Sequence, residues 1–248
     1  MLGPVTARLY GLSVSPWTEK ARWALDHHAV PYAYVEYVPM LGELPVRLRT
    51  RKLRGRVSAP LLLDRGHVLS DSFEIARYAD DIGKGPTLFA SKACGEWNAA
   101  SEAALQSARL LAVLRMAESK EAQLDSLPGF VPGALRGAGR PMAALGIRYL
   151  VWKYGLSNER AESAEQAIRQ HLGMLRAALG ERGYVEGRAF SFADVCMAQA
   201  VNAISPVSGR FMKIPAGTRA CFTHDALRTE FADLVRWRDA LYEKHRRT

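Results

Sequence analysis

Two different patterns of apolar residues meet at Gly83-Lys84-Gly85-Pro86. From Ala7 to about Asp81, short apolar runs alternate with amphipathic stretches, which predicts strands and helices in turn. Ala7 to Tyr10, Tyr32 to Val38 and Pro60 to Leu63 read as strands, and Arg65-Gly66-His67 reads as a hairpin turn into Val68-Leu69. Pro16 to His27 and Ser72 to about Asp80 read as helices. Beyond the break the period is mostly helical, over Ala90 to Glu121 and again over Glu159 to Gly180. Ser126 to Pro141 carries three Pro and four Gly and is expected to form a long surface loop. The expected architecture is α/β plus all-α: an α/β domain over 1–82, a linker over 83–90 and an all-helical domain over 91–248. A chain of 248 residues is long enough for two such cores.

Composition narrows the setting. With 48% hydrophobic residues the chain is not of the disordered class. No run reaches the roughly 20 apolar residues of a membrane span, and the first residues lack a basic stretch followed by a long apolar one. Cys94, Cys196 and Cys221 are odd in number and scattered, with no C-x-x-C pair. That argues against a disulfide framework or a zinc site, and for a reducing, cytoplasmic setting with no metal. Lys and Arg number 34 against 25 Asp and Glu, a net charge of +9. Such a balance suits nucleic acid, an anionic membrane surface or a small anionic substrate. Six positive charges, Arg47, Arg49, Arg51, Lys52, Arg54 and Arg56, fall within ten residues. A solvated face is their plain reading and attraction of an anionic ligand the next. Nucleic-acid contact is not favoured, because no aromatic interleaving accompanies them.

Two short constellations carry chemistry. In Ser13-Val14-Ser15-Pro16-Trp17-Thr18, Ser15 has the position of an N-cap and Pro16 that of a first helical residue. Ser15 is either a cap alone or a hydroxyl beside an anion, since a helix N-terminus attracts one. The second constellation is Ala59-Pro60 followed by Asp71-Ser72. Pro60 entering an apolar run suits an edge strand or a cis bond in a turn. Asp71 and Glu74 have capping-box spacing, and the same helix start can hold a carboxylate. Downstream, Ser191 and Asp194 form a second capping-box pattern, read as a folding signal. His27-His28 suits a helix C-terminus, and His224-Asp225 a helix start.

The order of these pieces, Ser15-Pro16-Trp17-Thr18-Glu19-Lys20-Ala21-Arg22 after a strand and then Ala59-Pro60 with Asp71-Ser72, resembles the thioredoxin-like N-terminal domain of cytosolic glutathione transferases. Tyr184 to Asp194 is similar to that family's C-terminal signature, and Phe231 to Trp237 to its last long helix, so the resemblance runs from about residue 7 to about 242.

The resemblance implies a thioredoxin-like domain followed by a helical bundle, a homodimer, and glutathione as co-substrate for attack on a small hydrophobic electrophile. It implies that Pro60 is cis and starts the third strand. It gives glutathione binding to Arg56, Ala59, Pro60, Asp71 and Ser72, and thiol activation to Ser15, with Ser13 as runner-up and Tyr10 third. No cysteine occupies the turn, so mixed-disulfide chemistry is not expected. Conjugation is, with glutathione-dependent peroxide reduction or isomerisation as alternatives. Gly55 to Pro60 departs from the family's pattern, and it keeps open a further alternative, a binding or interaction protein that has lost turnover.

Overall fold

The computed structural model describes residues 7–37, 59–129, 131–180, 182–187 and 189–247. Its N-terminal part is a four-stranded mixed sheet of β1 (Arg8–Gly11), β2 (Ala33–Glu36), β3 (Leu61–Asp64) and β4 (His67–Leu69), in the order β2-β1-β3-β4. β2 runs parallel to β1, whereas β3 is antiparallel to β1 and β4 to β3. The β3–β4 hairpin turns on Arg65 and Gly66, both at positive φ (47° and 84°), as a two-residue turn matched to strand twist requires. The Ala59–Pro60 bond is cis, and β3 follows it directly.

Side chains alternate across β1. Leu9 faces α1 (Pro16–His27) and α2 (Ser72–Ile82), sharing a core with Ala21, Ala24, Leu25, Ile75 and Ala79. Tyr10 faces the opposite way, with Tyr37 and Leu61. This is a thioredoxin-like arrangement, and a mostly helical remainder follows it.

The connection is pinned rather than loose. A Cβ on Gly83 would lie 2.4 Å from the His28 Cβ, and the Lys84 N–H donates to the His28 carbonyl at 2.8 Å. Asp80 accepts from the Thr87 hydroxyl and the Leu88 N–H, both at 2.7 Å, and the Leu88 carbonyl accepts from the Phe192 N–H at 2.8 Å.

The helices that follow are α3 (Cys94–Glu118), α4 (Lys120–Asp125), α5 (Arg136–Tyr154), α6 (Ala161–Leu179), α7 (Phe192–Asn202), α8 (Ala216–Phe222), α9 (Asp225–Glu230) and α10 (Ala232–His245). The expected loop over Ser126 to Pro141 is shorter than its composition implies, because α5 begins at Arg136 and takes in Pro141. Two contacts explain this. Arg136 donates to the Leu124 carbonyl at 2.8 Å, and Gly139 lets the helix approach Leu127, whose side chain would lie 3.2 Å from an added Cβ.

Every residue of α7 is buried, and its start rests on Asp194. The carboxylate accepts from the Val185 N–H and the Ser191 N–H, each at 2.8 Å, and from the Ser191 hydroxyl at 3.1 Å. Burial outweighs these donors and pushes Asp194 up to about 6. Asp194→Ala is expected to destabilise the chain by about 3 kcal/mol, read by denaturant unfolding, because two buried N–H groups lose their acceptor. Since the folded value lies above the ordinary one, the protonated carboxyl contributes stability in acid that is lost as pH rises through about 6. The stability difference between wild type and variant should narrow over that interval.

Candidate active site

Strand register brings four segments to one end of the sheet. Tyr10 pairs with Leu61, so the C-terminal end of β1 lies beside the start of β3 and hence beside Ala59-Pro60. Leu69 pairs with Leu62, which returns β4 to the same end just before α2 opens at Asp71. Gly11 pairs with Glu36 on parallel β2. The turn holding Ser13 and Ser15 therefore shares this end with Glu36, Pro60 and Asp71-Ser72.

Ser15 is the N-cap of α1 and Pro16 its first helical residue. The Ser15 Oγ accepts from the Thr18 N–H at 3.4 Å, and the Ser15 carbonyl from the Glu19 N–H at 3.0 Å. Pro16 has no N–H, so the Trp17 amide is the first-turn donor left without a protein partner among the described residues. The Ser15 hydroxyl proton has no acceptor there either. The turn is held close: the Leu12 N–H donates to Thr18 Oγ1 at 3.2 Å, and a Cβ on Gly11 would meet Thr18 Cγ2 at 2.4 Å.

Ser13 differs in kind. Its N–H and its hydroxyl both donate to Glu36 Oε1, at 3.0 and 3.3 Å, while Glu36 Oε2 accepts from Tyr34 at 2.9 Å. Burial and Glu36 together push the Tyr34 hydroxyl well above its usual range. Tyr10 is buried in the sheet with Tyr37 and Leu61.

At the start of α2, Asp71 Oδ1 accepts from the N–H groups of Phe73 (2.7 Å) and Glu74 (3.2 Å), which uses two of the first-turn donors. The hydroxyl of buried Ser72 meets no donor or acceptor among the described residues. Pro60 is buried and Ala59 half-buried beside it. Arg56 and the cluster from Arg47 lie outside the described residues.

Two features escaped the sequence reading. Glu36 carries no local motif and is brought to Ser13 only by strand pairing. The other is a polar junction between α1 and α3. Lys20, with a fully buried side chain, donates to Glu102 at 2.8 Å and to Asn98 at 3.2 Å, and Trp17 Nε1 donates to the other Glu102 oxygen at 2.5 Å. Arg109 lies over the Trp17 ring, and it follows Glu102 by one heptad on the same face of α3. That spacing was the available signal. A separate cavity of about 790 Å³ opens between α3 and α6, lined in part by Arg115, Glu118, Glu165 and His224, and contains none of the candidate residues.

Glu102→Gln leaves the buried Lys20 ammonium without its counter-charge, so a loss of about 3 kcal/mol is expected in thermal or denaturant unfolding. The double variant Lys20→Met/Glu102→Gln should recover much of it.

Residues 14–82 match the family model for the glutathione S-transferase N-terminal domain. A probable glutathione S-transferase of Solanum tuberosum is 27% identical over 81 residues, which cover 33% of this chain and 36% of that protein. Among solved structures, a glutathione S-transferase of Methylobacterium radiotolerans in complex with glutathione sulfonate superposes with a TM-score of 0.59 at 19% identity, covering 96% of this chain and 91% of that one. One from Ceriporiopsis subvermispora in complex with glutathione does so with a TM-score of 0.59 at 19% identity, covering 98% of each chain.

Proposed function

For a chain whose residues 14–82 match the glutathione S-transferase N-terminal domain model, and which shares the fold of such enzymes over nearly its whole length, we propose the activity of a glutathione transferase acting on a small hydrophobic electrophile. The observation that carries the reading is the first turn of α1. There the Ser15 hydroxyl and the Trp17 amide are donors without acceptors among the described residues, at the positive end of a helix.

Glutathione lies along the end of the sheet, its cysteinyl backbone against Ala59 next to cis Pro60 and a carboxylate at Ser72. The Ser72 hydroxyl, without a partner among the described residues, and the N-terminus of α2 support that placement. Asp71 faces the ammonium, and the other carboxylate is assigned to Arg56, which lies outside the described residues. The glutathione thiol gives its proton to solvent, and its thiolate accepts from the Ser15 hydroxyl and the Trp17 amide. The sulfur then forms the new C–S bond as the electrophile's leaving group departs with its electron pair. Ser13 is the poorer candidate, because its hydroxyl is already given to Glu36 and that carboxylate opposes a nearby thiolate. Serine in place of cysteine favours conjugation over mixed-disulfide exchange.

The working division is 1–82 for glutathione, 83–90 as linker and 91–248 for the electrophile. Cys94, Cys196 and Cys221 are free and buried, which suits a reducing cytoplasm. Burial pushes both Cys94 and Cys196 up to about 12, so neither competes as a nucleophile. The protein works as a homodimer. On α5, Met142, Leu145 and Trp152 are 72%, 63% and 77% exposed along one face, an apolar stripe suited to a second copy.

Ser15→Ala is expected to lower kcat/KM for glutathione conjugation of an aryl halide by about 100-fold, with Ser13→Ala within a few-fold of wild type. Equal effects of the two, or none, would refute the assignment. In sedimentation, wild type should run as a dimer and Leu145→Glu/Trp152→Glu as a folded monomer.

A further inference from the structure

Arg109 carries a charge that no carboxylate among the described residues meets with a hydrogen bond. Its guanidinium carbon is 3.9 Å from the Tyr154 ring centroid and 5.1 Å from that of Trp17, so two aromatic rings flank it. Its Nε is covered, and among the described residues no oxygen accepts from it. The buried arginines Arg246 and Arg238 are satisfied, the first by Glu19 and Asp26 and the second by Asp239 and the Ser205 carbonyl. Glu102, one heptad earlier on the same face of α3, is already shared between Trp17 and Lys20. Burial holds the Arg109 guanidinium below its usual range, against the opposing pull of Tyr154 and Glu102. A partly buried cation with no hydrogen-bonded carboxylate among the described residues is unfavourable, and an oxyanion that reaches it is bound correspondingly well. Trp17 is two residues past Ser15 in the same helical turn, so Arg109 stands beside the turn to which the sulfur is assigned.

We propose that Arg109 binds a carboxylate on the second substrate, so that the enzyme selects electrophiles that carry one. The proposal rests on the transferase reading above. Trp17 and Tyr154 offer aromatic surface to the body of such a molecule, while the guanidinium fixes its charged end.

The test uses the full chain with 4-chloro-3-nitrobenzoate and its methyl ester, which share the reacting carbon and the leaving group and differ in charge. In both, the glutathione sulfur bonds to the chlorinated carbon, chloride leaves with the electron pair of the broken bond, and the thiol proton passes to solvent. Arg109→Gln should raise KM for the acid about tenfold or more with kcat little changed, and move neither constant for the ester by more than about twofold. Arg109→Lys should keep part of the affinity for the acid. Equal losses for acid and ester, or no loss for either, would overturn the proposal. Calorimetric binding of 3-nitrobenzoate, which has no leaving group, separates this failure from that of the transferase reading. Binding that Arg109→Gln abolishes supports the carboxylate site even if conjugation is absent. Binding that is undetectable, or unchanged by the substitution, removes the site and leaves the transferase reading standing.

Discussion

The position of α1 is the constraint on which the rest of the candidate site depends. One side of the helix lies on the sheet through Ala21, Ala24 and Leu25. A second side is bound to α3 through Trp17, Lys20 and Glu102. A third is bound to the end of the chain, where Arg246 meets Glu19 and Asp26, each at 2.6 Å. Glu19 and Arg246 are both buried, so breaking this pair would strand a charge inside the protein. Ion pairs of this kind are weak evidence for stability but strong evidence for placement, since their geometry tolerates little drift. The N-terminus of α1 is thereby fixed relative to both the sheet and the helical part, which is what a pre-organised anion site needs.

Electrostatics separates the two serines that lie two positions apart. Ser15 begins a helix, and its hydroxyl proton has no acceptor among the described residues. Ser13 is hydrogen-bonded twice to a carboxylate. An anion is therefore favoured at one and opposed at the other. The same reasoning extends across α3: Glu102 is hydrogen-bonded to Lys20 and Trp17, and Arg109 stacks between aromatic rings with no hydrogen-bonded carboxylate among the described residues.

Much of this was legible in the sequence where the signal is local. The Ser15-Pro16 start of α1, the Arg65-Gly66 hairpin turn and the Asp71 cap of α2 are short-range chemistry, and each lies where its residues predict. Cis Pro60 came from the family resemblance, the residues alone having left an edge strand open. What the sequence hid is long-range. Glu36 reaches Ser13 only because β2 pairs in parallel with β1, and Lys20 reads as an exposed helical cation until α3 is packed against it. The segment from Ser126 to Pro141 misled for the opposite reason: its glycines and Pro141 are local signals that the contacts at Leu124 and Leu127 override.

The central claim is that the start of α1 stabilises the thiolate of glutathione. Titrating the protein with glutathione across pH while following the ultraviolet absorbance of the thiolate tests it most directly. The account predicts that bound glutathione ionises near neutral pH, below its value in water, and that Ser15→Ala returns it towards the free value while Ser13→Ala does not. Glutathione that binds yet keeps its solution ionisation, or that ionises equally well without the Ser15 hydroxyl, would contradict it.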